Sequence, residues 1–314
     1  MATGKIAFVF PGQGAQAVGM GKDLAQNCSP VGGLMESASA VIGIDLGKLC
    51  YEGPEEELSQ TQNTQPALFT VGAMALAAFR ARSGVQPDFV AGHSLGEFTA
   101  LYAANALSFE DAVTIVRRRG LYMSEARGGG MAAVLGLDAA VIEEVCREVG
   151  DAPGALQPAN YNGDAQTVIA GRKELIEKAV PLLQERGAKK VVVLNVSAAF
   201  HSPFMNDAAA RLAADLDRMK FADPAVPLVN NVDAKIVTAA AEAREGVKRQ
   251  VTGAVRWTGV MQTMLDNGVR TVIEFGIGKT LCGMFKRMDK GLTLCNVEDL
   301  ASLEKTLEVL NQNA

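Results

Sequence analysis

Val85-Gln-Pro-Asp-Phe-Val-Ala-Gly-His-Ser-Leu-Gly-Glu-Phe98 is the stretch on which the reading of the fold turns. Phe89 to Ala91 is a short apolar run, suited to the end of a buried strand. Gly92-His93-Ser94-Leu95-Gly96 follows with the spacing G-x-S-x-G, and Glu97 to Leu107 reads as a helix. A serine on a sharp strand-to-helix turn stands above the sheet edge, flanked by glycines because side chains there would collide. The same turn aims the backbone N–H of Leu95, at a helix N-terminus, toward an oxyanion forming at any carbonyl that Ser94 attacks. A glycine-rich loop without chemistry is the plain alternative. The strand before the motif and the helix after it favour a nucleophile.

The chain of 314 residues is long enough to bury a core, as one large domain or two unequal ones. With 48% hydrophobic and 21% charged residues its composition is that of an ordinary globular protein. A net charge of −5 argues against a nucleic-acid partner, and no apolar run reaches the length of a membrane span. Cysteines at 28, 50, 146, 282 and 295 form neither C-x-x-C pairs nor a disulfide framework. The opening Met-Ala-Thr-Gly-Lys runs straight into a strand, so no signal peptide is expected. A soluble, reduced, cytoplasmic monomer is the expectation. Only two histidines are present, His93 and His201.

Outward from the elbow, Lys5 to Phe10 reads as a first buried strand, followed by Pro11-Gly-Gln-Gly-Ala-Gln16. Gly12-x-Gly14-x-x-Ala17 meets a loose dinucleotide fingerprint. That reading needs a second strand ending in an acid, whereas Gly33 to Val41 looks helical and Pro11 interrupts the turn. Nucleotide binding is set aside. The loop opens at the carboxyl end of a strand, so it can bring the N–H of Gln13 toward Ser94. A helix starts at Gly53-Pro-Glu-Glu-Glu-Leu58, and Thr64-Gln-Pro66 opens a long alanine-rich one to about Arg82, with Pro66 in its first turn. Another spans Phe109 to Ala126.

After Gly128-Gly-Gly130 the pattern reads strand (Met131–Gly136), helix (Asp138–Val149), strand (Ala155–Tyr161), strand (Gln166–Ala170), helix (Arg172–Arg186) and strand (Lys189–Leu194). That β-α-β-β-α-β order is the ferredoxin-like unit, read as a small α+β domain (128–198) inserted into a larger one (1–127 and 199–314). A loop from Asn195 to Pro203 and a helix to about Met219 follow. Pro227 to Val229 is a short strand ending at Asn230 and Asn231, helices flank Gln250 and Trp257, and Val269 to Phe275 is a further buried strand. Gly276-Ile-Gly278 opens a helix, and a last strand and helix complete the chain. The fold class is therefore α/β, with a mostly parallel sheet and flanking helices in a hydrolase-like large domain.

Arg117, Arg118 and Arg119 cannot share one face of the helix that carries them. Arg118, and with it Arg117, is assigned to the solvated side. Arg119 falls on the apolar stripe of Ala112, Val116, Gly120 and Met123. A charge facing the core needs a partner, either a protein carboxylate or a substrate carboxylate, and a guanidinium fork suits the latter. Ser94 also needs a base. His93 adjoins it on the elbow, where neighbouring side chains diverge, so His201 takes the part by elimination. An α/β-hydrolase would place an acid between serine and histidine in the chain. Of Asp111, Asp138, Asp151 and Asp164, three fall in the inserted domain. Another acceptor, such as a backbone carbonyl, would then orient His201.

The sequence resembles the malonyl-CoA:acyl carrier protein transacylases from about residue 5 to beyond residue 280. The resemblance is carried by Phe10-Pro-Gly-Gln-Gly-Ala-Gln16, Gln65-Pro66, Gly92-His-Ser-Leu-Gly-Glu97, Arg119-Gly120 with Met123, Ala199-Phe-His-Ser202, Val229-Asn-Asn-Val-Asp233 and Arg249-Gln250 before Val255-Arg-Trp257. It implies Ser94 as nucleophile, His201 as base, and the N–H groups of Gln13 and Leu95 as an oxyanion hole. It also implies Arg119 as the clamp on a malonyl carboxylate, with Met123 beside it, and Gln250 as a support for the histidine or the acyl group. Phe200 and Leu95 are similar to family members that select malonyl over methylmalonyl. The implied partners are malonyl-CoA and acyl carrier protein, with no metal and no cofactor beyond the CoA and phosphopantetheine of the substrates. The family's Ser-Gly-Ala-Phe-His reads Ser197-Ala-Ala-Phe-His201 here. A serine thioesterase and a non-catalytic acyl-CoA sensor on the same fold are the competing readings. Fatty acid synthesis is the expected pathway, with a polyketide assembly line as the other. Lys189, Lys190 and Arg117 are candidate contacts for an acidic carrier.

Overall fold

The computed structural model describes residues 4–29, 31–164, 166–194, 196 and 198–313; the expected loop residues Asn195 and Ser197 lie outside them. The first strand, β1 (Lys5–Phe10), leads through five helices, α1 (Lys22–Asn27), α2 (Gly32–Ile42), α3 (Leu46–Glu52), α4 (Glu55–Leu58) and α5 (Thr61–Arg80). Next come β2 (Phe89–Gly92), α6 (Gly96–Ala103) and α7 (Phe109–Glu125). The chain then builds β3 (Gly129–Leu135), α8 (Ala139–Val149), β4 (Leu156–Tyr161), β5 (Gln166–Arg172), α9 (Lys173–Glu185) and β6 (Lys190–Val193). It returns through α10 (Asn206–Arg218), β7 (Leu228–Val229), β8 (Ile236–Val237), α11 (Ala240–Gln250) and α12 (Trp257–Asp266). The last elements are β9 (Val269–Phe275), α13 (Thr280–Met288), β10 (Thr293–Val297) and α14 (Leu300–Asn313).

Two sheets result, one mostly parallel and one antiparallel. The larger has the order β10-β9-β1-β2-β7-β8, parallel except for the β7–β8 edge pair. Its central strands are apolar on both sides because helices cover both faces. Alternation along β1 sends Phe8 and Phe10 into the core beneath α5, α6 and α7. Ala7 and Val9 go to the opposite face, with Trp257, Met261 and Phe285. Phe8, Phe79 and Phe275 meet edge-on, with ring centroids 4.7–5.6 Å apart. The second sheet has the order β4-β5-β3-β6, antiparallel throughout. Ile142 and Val145 of α8 and Leu175 and Leu183 of α9 give it a core of its own.

Four expectations shift. The helix after the elbow ends at Ala103, not Leu107, and Asn105 takes φ 58°. The edge strand β8 was not foreseen, because two residues carry no periodic signal. The long helix begins at Thr61, so Pro66 lies inside it rather than in its first turn. Proline has no N–H for the carbonyl four residues back, that of Gln62. Arg117 supplies the missing donor from α7, its guanidinium bonding Gln62 O at 2.6 Å and Asn63 Oδ1 at 2.8 Å. Arg117 is thus half-buried and engaged, not on a solvated face. Arg118 is exposed and pairs with Asp215. Gly120 lets the two helices close up: a Cβ there would stand 2.8 Å from Gln62 Cα.

Candidate active site

The elbow forms because its glycines permit backbone contact that no other residue allows. A Cβ on Gly92 would lie 1.9 Å from the Gly96 carbonyl, and one on Gly96 would lie 2.1 Å from Phe10 O. Between them Ser94 adopts φ 51°, a left-handed conformation costing on the order of 1–3 kcal/mol outside glycine. Asn231, just beyond β7, holds the turn. Its Oδ1 accepts the Ser94 N–H at 2.7 Å, and its Nδ2 donates to Gly92 O at 2.8 Å. Among the described residues the backbone N–H of Leu95, like that of Gln13, meets no acceptor.

His201 reaches this serine from the other side of the cleft, with Nε2 2.7 Å from Ser94 Oγ. Its Nδ1 lies 2.8 Å from Gln250 O. A carbonyl can only accept, so Nδ1 carries the proton and Nε2 presents a lone pair to the hydroxyl. Among the described residues no acid stands behind the histidine; a backbone carbonyl does that work. Burial, and secondly the Arg119 cation, bring the His201 pKa down to about 3, so the ring is neutral at ordinary pH. His93 points elsewhere: its Nε2 is 2.8 Å from Asn162 Oδ1 and its ring meets Trp257 edge-on at 5.6 Å.

Arg119 is 1% exposed and makes no ion pair among the described residues. Its guanidinium bonds Gln65 Oε1 (2.7 Å), Gln250 Oε1 (3.0 Å) and Ser94 Oγ (3.1 Å), while its Nε has no acceptor. Burial brings its pKa down to about 10, with Glu97 acting in the opposite sense, so it remains a cation. Gln250 is the hub. Its Nε2 donates to Ser94 O at 2.9 Å and to Glu97 Oε2 at 2.8 Å, and the same Oε2 accepts the Asn231 N–H at 3.1 Å. Glu97 is wholly buried, which raises its pKa to about 7.

Ser94, His201 and Arg119 line a cleft of about 490 Å³ between the two sheets, together with Gln13, Met123 and Phe200. Leu95 is 1% exposed and stands behind the elbow, so only its N–H is offered there. Met123 Sδ accepts from Gln65 Nε2 at 3.6 Å, which fixes the amide that orients Arg119. Every residue singled out in the sequence for the site comes together, whereas Lys189 and Lys190 lie outside the cleft lining and exposed. Three contributors went unassigned: Asn231, Glu97 and Gln65. Asn231 could have been found from its place at the carboxyl end of a parallel strand.

Residues 7–288 match the family model of the acyl transferase domain. The chain belongs to the acyl transferase family. This acyl transferase is 41% identical to a malonyl CoA-acyl carrier protein transacylase of Bacillus subtilis, over 98% of each chain. It is 40% identical to the protein of that name from Escherichia coli K12, over 97% of this chain and 99% of the other. Among solved structures, an acyl-carrier-protein S-malonyltransferase of Burkholderia pseudomallei superposes with a TM-score of 0.93 at 43% identity, covering 97% of this chain and 99% of that one. A malonyl-transacylase solved in complex with its type II PKS acyl-carrier protein gives 0.94 at 40% identity, with the same coverage.

Proposed function

We propose that this acyl transferase moves a malonyl group from malonyl-CoA to the phosphopantetheine thiol of an acyl carrier protein, supplying malonyl units for fatty acid synthesis. The observation that carries the reading is Arg119, a buried cation without an ion-pair partner among the described residues, 3.1 Å from the hydroxyl that would be acylated. A carboxylate two bonds beyond the reacting carbonyl supplies the missing anion. Acetyl leaves that site unpaired, and polar sites of this kind reject the deficient analogue by about 10⁴.

In the first half-reaction His201 Nε2 takes the Ser94 proton as Oγ attacks the thioester carbonyl. The N–H groups of Gln13 and Leu95 stabilise the oxyanion, each donor contributing about 10²–10³ in rate. Collapse expels CoA as the thiol, protonated by His201, and leaves malonyl-Ser94. In the second half-reaction His201 deprotonates the carrier thiol, the sulfur attacks the ester carbonyl, and His201 returns the proton to Ser94 Oγ as the Oγ–C bond breaks. Gln250 supports both partners, holding His201 through its carbonyl and Arg119 through its side chain. Phe200 and Met123 wall the cleft and would limit α-substituted acyl groups such as methylmalonyl.

On this reading 128–198 is a ferredoxin-like domain inserted between 1–127 and 199–314, and the cleft lies between the two. The protein works as a cytoplasmic monomer with no cofactor or metal of its own and without nucleic-acid or membrane partners. No helix among the described residues is long and apolar enough to cross a membrane, and the five cysteines are free and buried. The likeness to the transacylase complexed with a PKS carrier favours a polyketide carrier as the second reading. Labelled malonyl-CoA assayed with fatty-acid carrier protein, with polyketide carrier protein and with neither tests all three points. Transfer to the fatty-acid carrier is expected. Malonate released at one rate in every arm would make the protein a thioesterase instead.

A further inference from the structure

Among the described residues Glu97 is the one buried acid at the site, and the transfer steps leave it without a part. Its two oxygens differ sharply. Oε2 accepts from both Gln250 Nε2 and the Asn231 N–H, whereas Oε1 is buried without a partner. Through those two bonds Glu97 reaches every moving part: Gln250 holds Arg119 and His201, and Asn231 holds the strained turn at Ser94. A proton on Oε1 would disturb none of them, because no existing bond uses that atom.

We propose that Glu97 is a positioning residue that changes charge with the acyl load: Oε2 holds Gln250 and Asn231 in either state, while Oε1 takes up a proton when an acyl carboxylate occupies Arg119. The proposal rests on the reading of Arg119 as the carboxylate's partner. Its physical basis is charge balance in a dry site. The titratable groups facing Glu97 are Arg119 from α7, Asp233 from the turn after β7 and Arg249 from α11, the last two paired with each other. In the free enzyme Arg119 favours the carboxylate form of Glu97. A malonyl carboxylate on Arg119 cancels that influence and adds a second anion nearby, and two buried anions around one cation favour protonating the weaker partner. The acyl transfer itself is proton-neutral. The Oγ–C bond forms, the C–S bond breaks, and the Ser94 proton leaves on the thiol through His201, so any net uptake belongs to the protein.

The test mixes enzyme with equimolar malonyl-CoA in weak buffer containing a pH indicator, with malonyl adduct counted by intact-protein mass spectrometry. Because burial holds free Glu97 at about 7, uptake should approach about one proton per adduct near pH 8 and fall toward zero near pH 6. Glu97→Gln keeps an oxygen for both bonds and removes the titration, so uptake per adduct should vanish. Equal uptake per adduct in Glu97→Gln would send the proton to His201, which Arg119 also holds down, and overturn the proposal. Should that variant fail to load, difference infrared spectra of the native enzyme decide. A protonated-carboxyl band must appear on loading isotope-labelled malonyl and not on loading acetyl; without it the proposal fails. No adduct at all from malonyl-CoA would instead remove the malonyl reading beneath it.

Discussion

Two strand-to-helix turns flank β1 in the parallel sheet, and they solve the same local problem in opposite ways. Both β2–α6 and β9–α13 leave the carboxyl end of a parallel strand and enter a helix whose first N–H groups need acceptors. At β9 the problem is closed. Gly276 and Gly278 take the positive φ angles, 118° and 83°, and buried Glu274 accepts the N–H groups of Leu281 and Cys282, one on each carboxylate oxygen. At β2 it is left open. A serine takes the left-handed angle, and the Leu95 N–H is given no acceptor. The proposed chemistry sits at the turn that breaks the local rules, and the neighbouring turn shows that the sheet has the means to obey them.

The difference can be broken from either side. The largest effect is expected for Arg119→Ala, which removes the charge that the open turn faces. Malonyl transfer should fall by up to about 10⁴ relative to acetyl transfer, read as the ratio of kcat/KM values. Equal loss of both would end the carboxylate role. Asn231→Ala releases the strained turn and leaves the Ser94 N–H and Gly92 O unpaired. A drop on the order of 10² in the rate of adduct formation is expected, followed by stopped-flow release of CoA. Glu274→Ala opens the closed turn instead. It should cost about 1–3 kcal/mol in denaturant unfolding and leave transfer per folded molecule as it was.

Glu274 also carries a pH signature. Burial raises its pKa from 4.5 to about 7, so between those values the folded chain holds a proton that the unfolded chain has released. Its stabilising contribution is complete below about pH 4.5 and is lost as pH rises through 7; Glu97 acts in the same sense. Melting temperatures from about pH 5 to 8 should therefore fall less steeply in Glu274→Ala than in the parent. The smallest effect concerns His201. With its pKa near 3, adduct formation should change less than about tenfold between pH 7 and 5, without the inflection of an ordinary histidine near 6.5.

Much of this was legible along the chain, and for identifiable reasons. The elbow's glycines and serine are adjacent in sequence, so steric necessity writes them as a motif. Arg119 showed itself because helical phase alone places it on an apolar stripe, and the structure finds it buried there. Arg117 is placed wrongly by the sequence because its true partner is a carbonyl orphaned by Pro66, 55 residues away in a helix that starts three residues before the Thr64 the sequence suggests. Glu97 and Gln65 carry no local anomaly, and Asn231 shows only its place at a strand end. Asparagine after a strand, glutamate in a first helical turn and glutamine in a helix are all ordinary, and their meaning arises only across separations such as the 137 residues from Ser94 to Asn231.

By itself the sequence determined the serine elbow, the sole remaining histidine and the misplaced arginine, because backbone sterics, residue count and helical periodicity are properties of neighbours in the chain. The tertiary structure decided how they act. It set Nε2 against Oγ at 2.7 Å across 107 residues and turned the imidazole with a backbone carbonyl in place of an acid. It also gathered Gln250, Asn231 and Glu97 behind the elbow. Those contacts are made by the ends of separate strands and helices, and only the packing of one element on another fixes the distances between them.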